Sequence, residues 1–480
     1  MIDDTEVVLA SNRGPVAFVA SDDGFALRRG AGGLVGALGP VARRLGSRAV
    51  WIAATTSEAD RAALAAGRAE HLSEQLGYPV LLIDVDREIY TSYYDVISNR
   101  MLWFANHCLW DELGEPSFGD DELGAWTRGY EEVNRRFADA VLETAETNAL
   151  VLFHDYHLTR APLLLRERRP GQTIGHFTHS SFCARGMKPL PEVIARAVIE
   201  GMLGANLVAF HVDAWAQGFL DCCEQLGWVV DRAEPAVEGA GRRTWVRTYP
   251  IQVDVDELRS RAAGGRARSW AHRFREEAAG PLIVRVDRTE PSKNVVRGFE
   301  AFGRLLDRRP DLRSVRFVAC LYPSRQSMAE YRRYAAAIED EVRQVNDRHP
   351  GSIVLSLEDD FDRSLGALLC YDVLLVNPLM DGMNLVSKEG VALNENHGAL
   401  VLSRFAGSFE ELGAYAEAID DPRDIDATAA ALERALALPE EERRARARGR
   451  CAAVERRTPE QWIEAQLDDL RAIRDGARPR

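Results

Sequence analysis

Two cations follow a single hydrophobic run in Leu282-Ile-Val-Arg-Val-Asp-Arg288-Thr-Glu-Pro-Ser-Lys293-Asn. A strand ends there, and Arg288 and Lys293 fall in the turn leading to the next helical pattern. In open α/β sheets, ligands gather at the carboxyl ends of strands, beside helix N-termini. A guanidinium offers a planar fork and an ammonium a mobile point charge, so the pair suits a diphosphate. Taken alone, it reads more readily as two solvated surface cations.

The same strand–loop–helix design recurs in Leu374-Leu-Val-Asn-Pro-Leu-Met-Asp381-Gly382-Met-Asn384-Leu385-Val386-Ser-Lys-Glu389. Gly382 lets the backbone approach a ligand closely. The amides of Asn384, Leu385 and Val386 would open the helix toward phosphate oxygens. Glu389 lies about one turn on and could accept from two ribose hydroxyls, a better use of a carboxylate than facing a diphosphate. An ordinary capped helix is the plain alternative.

A third group comprises Asp155 in Val151-Leu-Phe-His-Asp155-Tyr-His157 and His179 in Gly175-His-Phe-Thr-His179-Ser-Ser-Phe-Cys183. Both stand at strand ends and could hold sugar hydroxyls; structural histidines and a metal site are the competing readings. The fourth group is Ser11-Asn-Arg13-Gly-Pro with Gly30-Ala-Gly32-Gly33-Leu. Its spacing is not that of a dinucleotide fingerprint and suits a loop that closes over a phosphate sugar.

These groups need rigid elements behind them. Glu6–Ala10, Leu150–His154, Ile174–Thr178 and Leu207–His211 read as strands, as do Pro281–Val286, Val315–Cys320, Ile353–Leu357, Tyr371–Val376 and Ala399–Ser403. Most are apolar without alternation, as in parallel strands covered on both faces. Helical patterns intervene: Trp126, Tyr130, Val133, Phe137 and Val141 form one stripe. The alternation predicts doubly wound α/β domains. Val246–Ile251 reads as the last strand of the first domain, and a polar helix over 255–278 follows. Thr458 and Pro459 open a helix that buries Ile463, Leu467 and Leu470. An Arg/Ala-rich helix near 440–450 reads as a solvated face.

At 480 residues the chain calls for two domains. A net charge of −14 argues against nucleic-acid or membrane-surface binding. The seven irregularly spaced cysteines read as free thiols in a reducing compartment. Met1-Ile2-Asp3-Asp4 has no apolar signal core and no 18-residue apolar stretch follows, so a cytoplasmic protein is expected.

Taken together, and in this order along nearly the whole chain, these motifs resemble the trehalose-6-phosphate synthase family, the retaining glycosyltransferases of family 20. The resemblance implies a GT-B fold, two facing Rossmann-like domains with the active site in the interdomain cleft. It divides the chain into an acceptor-binding domain over 1–252, a nucleotide-sugar domain over 253–450, and a C-terminal helix over 451–480 returning to the first domain. The implied substrates are a nucleoside diphosphate glucose and glucose 6-phosphate, with no metal or other cofactor, and with a homo-oligomer allowed. Arg13, Trp51, Tyr94, Trp103 and Arg325 are implied for the acceptor. Gly33, Asp155, His179 and Asp381 are implied for the donor sugar, Arg288 and Lys293 for its diphosphate. Asn384, Leu385 and Val386 supply amides, and Glu389 the ribose contact. Asp155, His179, Arg288, Lys293 and Asp381 form the implied catalytic set.

The chain departs from the family pattern at Ser180-Ser181-Phe182-Cys183 and at Glu290-Pro291. Some family members with a similar His-Phe-Thr-His stretch use GDP-glucose rather than UDP-glucose. Carboxylates at Glu358 and Asp359, just after a strand, could accept from guanine's N1–H and amino group together, or could simply be part of an acidic helix cap. The balance leans to GDP-glucose over UDP-glucose. A pseudo-glycosyltransferase joining a cyclitol to an aminocyclitol phosphate, and a non-catalytic subunit of a trehalose-synthesising complex, are the alternatives.

Overall fold

The computed structural model describes residues 7–21, 24–30, 33–114, 118–239 and 241–480. Gly32 of the glycine-rich turn and the acidic start at 1–4 lie outside them. The chain separates into two compact units, Met1–Ile251 with Pro459–Arg480, and Gln252–Thr458.

The first unit contains β1 (Val7–Ser11), β2 (Val16–Ser21), β3 (Gly24–Arg29), β4 (Ala49–Ala54), β5 (Val80–Ile83), β6 (Leu150–His154), β7 (Thr173–Phe177), β8 (Leu207–Phe210), β9 (Val229–Asp231), β10 (Ala236–Gly239) and β11 (Arg242–Thr248). Its main sheet runs β5-β4-β1-β6-β7-β8-β11-β10-β9, parallel as far as β11 and antiparallel beyond, while β2 and β3 pair separately as a hairpin. The second unit contains β12 (Leu282–Arg288), β13 (Arg316–Tyr322), β14 (Ile353–Leu357), β15 (Val373–Val376), β16 (Ala399–Ser403) and β17 (Glu417–Ile419), all parallel in the order β14-β13-β12-β15-β16-β17.

That second order is the doubly wound 3-2-1-4-5-6 arrangement. Helices cover both faces, which is why β1, β6, β15 and β16 are buried along their whole length. The helix Val295–Arg308 shows how one face is closed: Val295, Phe299, Phe302, Leu305 and Leu306 are buried, and both phenylalanines meet Phe317 of β13 edge-on at 5.1 and 5.3 Å. Each such side chain contributes about 1.5–3 kcal/mol on burial. The strand order reverses between β1 and β6 in one sheet, and between β12 and β15 in the other. Connections leaving neighbouring strands toward opposite faces open a crevice at each reversal.

The expected stripe Trp126–Val141 is buried throughout. The last long strand of the first unit ends at Thr248, ahead of Pro250, and not at Ile251. The polar helix over 255–278 is two helices, Val255–Ala262 and Gly265–Glu277, broken at Ala263-Gly264. The helix Glu440–Val454 is not wholly solvated, because Arg450 is buried and donates to the carbonyls of Tyr415 at 2.8 Å and Gly398 at 2.5 Å. The helix Pro459–Arg474 belongs to the first unit. There Ile463, Leu467 and Leu470 are buried, Trp462 Nε1 donates to the Tyr249 carbonyl at 2.9 Å, and the Tyr249 hydroxyl donates to Asp469 at 2.5 Å. No helix among the described residues is long and apolar enough to cross a membrane.

Candidate active site

In the second unit the crevice between β12 and β15 holds the two cationic and carboxylate motifs together. Lys293 ends the turn Pro291–Lys293 after β12, and Asp381 lies in the loop after β15. Their side chains meet, Nζ to Oδ2, at 2.6 Å, and Lys293 also lies 3.8 Å from Asp287. Burial by itself would lower the lysine pKa, but Asp381, Asp287 and Glu290 outweigh it and raise it. Asp381 also accepts from the Asn384 backbone at 3.1 Å and from its side-chain amide at 3.0 Å. Asn384, in a left-handed conformation with φ 66°, caps the helix Leu385–Leu393 by accepting from the Ser387 amide at 3.0 Å. Of the three expected anion-binding amides, that of Asn384 is therefore engaged by Asp381, and those of Leu385 and Val386 stand in the first turn of the helix, where N–H groups have no partner within the helix itself.

Glu389 sits on the same helix, half-buried, and burial raises its carboxyl from 4.5 to about 7, partly offset by Lys293. Beneath these groups lies a buried network that sequence reasoning missed. Arg285 is fully buried and donates to Asp287 at 3.0 Å, to Asn377 at 2.6 Å and to the Lys293 carbonyl. It thereby fixes the turn that presents Lys293. Its signal was a charged pair, Arg285 and Asp287, inside an otherwise apolar strand.

Arg288 projects outward with its side chain 54% exposed, and Arg325 is held in a left-handed conformation with φ 43°. Both guanidinium groups lie 3.4 Å from the same oxygen of Glu290. Arg325 also donates to the Tyr331 hydroxyl at 2.6 Å. The structure thus brings together Lys293, Asp381 and Asn384, and places Arg288 and Arg325 side by side on Glu290.

In the first unit the crevice between β1 and β6 has a different lining. Asp155 follows β6 with φ 73°, an unfavourable backbone for a non-glycine residue. It is held there because its amide donates to the Phe177 carbonyl at 2.6 Å while its carboxylate accepts from the amides of Tyr156 at 3.1 Å and His179 at 3.2 Å. His154 and His179 touch ring to ring, with 3.2 Å between Nδ1 and Nε2. Burial, reinforced by the neighbouring imidazoles, lowers the pKa of both, and burial takes His176 to about 4. These imidazoles are neutral near pH 7. Of the six described non-glycine residues with positive φ, Asn294, Arg325 and Asn384 lie near the crevice of the second unit and Asp155 at that of the first.

Arg13 follows β1 and donates to the Tyr94 hydroxyl at 2.9 Å. Tyr94 stacks between Tyr90 at 5.2 Å and His157 at 5.6 Å. It rides on the π-helical segment Thr91–Leu102, which leads into Trp103; Trp103 packs against Tyr156 at 5.5 Å and His107 at 3.8 Å. Gly129 of a second π-helical segment, Trp126–Glu131, supports it so closely that an added Cβ would stand 2.7 Å from Ser92.

Trp51 requires a correction. It is 0% exposed in the middle of β4, so its ring cannot reach a ligand. Its Nε1 donates to Ser11 Oγ at 2.9 Å, and that hydroxyl donates to the Arg13 carbonyl at 2.7 Å, so it props the Arg13 loop from the core. Gly33 opens the helix Gly33–Leu45. Glu358 and Asp359 are exposed after β14, and Asp360 caps the following helix.

The Glycosyltransferase family 20 profile matches residues 5–472 of the sequence. The chain belongs to glycosyltransferase family 20. This family-20 chain is 34% identical over 501 residues to a trehalose-6-phosphate synthase of Mycobacterium sp. (strain KMS), across 99% of this chain and 97% of that one. It is 32% identical over 436 residues to a validamine 7-phosphate valienyltransferase of Streptomyces hygroscopicus subsp. jinggangensis, across 88% and 85%. A solved α,α-trehalose-phosphate synthase (UDP-forming) from Burkholderia xenovorans, in complex with glucose-6-phosphate, superposes with a TM-score of 0.81 at 27% identity, covering 97% of this chain and 100% of that one. The family-20 enzyme therefore has the expected α/β, GT-B fold class and is a glycosyltransferase.

Proposed function

We propose that this transferase moves the glucosyl group of a nucleoside diphosphate glucose onto glucose 6-phosphate, with retention at the anomeric carbon, to give trehalose 6-phosphate. The observation that carries the reading is the Lys293–Asp381 pair, 2.6 Å apart at the strand-order reversal of the second unit. An ammonium has three donors, so Lys293 can keep Asp381 while turning another N–H to a diphosphate oxygen. Asp381 retains acceptor capacity for a glucose hydroxyl, and Glu389 for the ribose. Arg288 and the first-turn amides of Leu385 and Val386 complete the anion site. The first unit contributes Asp155 and His179 to the donor sugar, and Arg13, Tyr94 and Trp103 to the acceptor; Arg325 of the second unit meets the acceptor phosphate.

In the transfer the bond from the anomeric carbon to the diphosphate breaks, a bond to the acceptor oxygen forms on the same face, and the acceptor proton passes to the leaving phosphate. Charge grows on that phosphate, and fixed cations and amide dipoles stabilise it most where water is excluded. No side chain serves as nucleophile. We propose turnover without a metal, in the cytoplasm.

GDP-glucose is the donor we favour over UDP-glucose. The exposed carboxylates of Glu358 and Asp359 can accept from two guanine donors, where uracil offers one. The test is a screen of UDP-, GDP- and ADP-glucose against glucose 6-phosphate with the product linkage determined. GDP release with an α,α-1,1 product is expected; a UDP preference overturns the base assignment alone. The Streptomyces relative keeps a second reading in view, transfer of a cyclitol to an aminocyclitol phosphate. No nucleoside diphosphate release with any glucose donor would favour that reading or a non-catalytic role.

A further inference from the structure

Glu290 stands at the position where the chain leaves the usual family pattern, and the function proposed above gives it no ligand. Its carboxylate is nevertheless buried, with the side chain 1% exposed. One oxygen, Oε1, accepts from Ser324 Oγ at 2.7 Å and lies 3.4 Å from Nη1 of both Arg288 and Arg325. The other, Oε2, is buried with no hydrogen-bond partner among the described residues. The loops carrying these groups are tied to each other: the Thr289 amide donates to the Tyr322 carbonyl at 2.9 Å, and the Ser324 amide to Thr289 Oγ1 at 3.1 Å. Burial would raise this carboxyl, but Arg325, Arg288 and Lys293 prevail and hold it down to about 2, so it is ionised at every working pH.

A buried carboxylate with an idle oxygen is costly unless neighbouring cations compensate it. Both cations are ones the proposed function sends to phosphates, Arg288 to the donor and Arg325 to the acceptor. We propose that Glu290 is a positioning residue, a shared counterion that aligns the two arginines as one unit and competes with incoming phosphate for them. The inference rests on the ligand roles proposed above for those arginines. Without ligand, the carboxylate keeps two like charges close and cancels part of their field. When phosphates arrive, the guanidinium groups turn toward them from a preset geometry, and the retained negative charge keeps the product diphosphate from binding too tightly.

The test compares two single variants with the wild-type full chain, by calorimetric titration with inorganic pyrophosphate and by steady-state kinetics. Glu290→Gln keeps the shape and removes the charge. Pyrophosphate should bind about tenfold more tightly, because a like charge beside the site is gone, while kcat falls about tenfold or more as the arginines lose their alignment. Ser324→Ala leaves the charge and removes a donor that shares it. The carboxylate then holds the arginines harder, and pyrophosphate should bind about two- to threefold more weakly. Opposite signs from adjacent groups are what a structural role does not produce, since partial unfolding lowers the bound fraction in both variants without changing either affinity. Unchanged pyrophosphate affinity in Glu290→Gln, or the same sign in both variants, overturns the proposal. Should Glu290→Gln fail to fold, weaker binding in Ser324→Ala supports the proposal and unchanged or tighter binding overturns it. Because pyrophosphate contains neither base nor sugar, a failed donor screen with opposite pyrophosphate shifts would sink the proposed reaction and leave this inference standing.

Discussion

The crevice between β12 and β15 and the crevice between β1 and β6 share a topology and differ in chemistry. In the second unit the strand ends carry Lys293, Asp381, Asp287 and Glu290, with Arg285 buried beneath, so each charge meets an opposite charge within 3.8 Å. In the first unit the corresponding strand end carries Asp155, locked by two amides, beside imidazoles that burial keeps neutral. A doubly wound sheet determines where a ligand can sit. The side chains decide whether that place manages a growing anion or orients uncharged hydroxyls.

Lys293→Ala breaks the charged side of this comparison most directly. Turnover per unit of substrate affinity, kcat/KM, should fall about 10²–10³-fold in steady-state assays, as expected for loss of a fixed cation at a developing anion. Wild-type kinetics would make the lysine a bystander. EDTA should leave the rate unchanged.

Glu389→Gln sharpens the comparison through pH. With its carboxyl at about 7, Glu389 accepts well only once ionised, so the donor KM should rise as pH falls below about 7. The variant should raise donor KM about tenfold at pH 8 and flatten that profile. The stability sign runs the other way. A carboxyl raised from 4.5 to about 7 favours the fold fully below pH 4.5 and loses that contribution as pH rises through about 7. Scanning calorimetry should therefore find the variant a few degrees more stable at pH 8, with the gain shrinking toward pH 5. A pH profile that survives the substitution would show that Glu389 is not the titrating group.

Tyr94→Phe removes the hydroxyl that accepts from Arg13, and the KM for glucose 6-phosphate should rise about three- to tenfold with little change in donor KM. The smallest effect is expected at Trp51→Phe. Losing the bond to Ser11 should lower Tm by about 2–4 °C and leave both KM values within twofold, confirming the indole as a prop and not a ligand contact.

Much of the second unit is legible before folding because its parallel strands are continuous apolar runs, and because Lys293 and Asp381 each follow such a run. In the first unit β4 (Ala49–Ala54) and β5 (Val80–Ile83) are apolar runs too, but one is alanine-rich and the other only four residues long, so neither is told from a piece of helix by pattern alone, and β3 of the hairpin carries Arg28 and Arg29. Arg285 could be seen as an oddity in its strand, but its partner Asn377 lies 92 residues away, so its purpose emerges only in three dimensions. The acceptor role of Trp51 comes from the resemblance alone, and its neighbours in the sequence do not reveal that its ring is enclosed within β4. The two π-helical segments shift the helical repeat by local packing, here the close approach of Gly129 to Ser92, which no periodicity reports.

The helix Pro459–Arg474 gives the fold a schedule. Trp462 lies 5.1 Å from Phe177 and 5.9 Å from His179, forming part of the aromatic floor under that imidazole. This wall of the first unit is supplied by a segment that follows the whole of the second unit in sequence, so the first unit closes around His179 only after every residue of the second has been made.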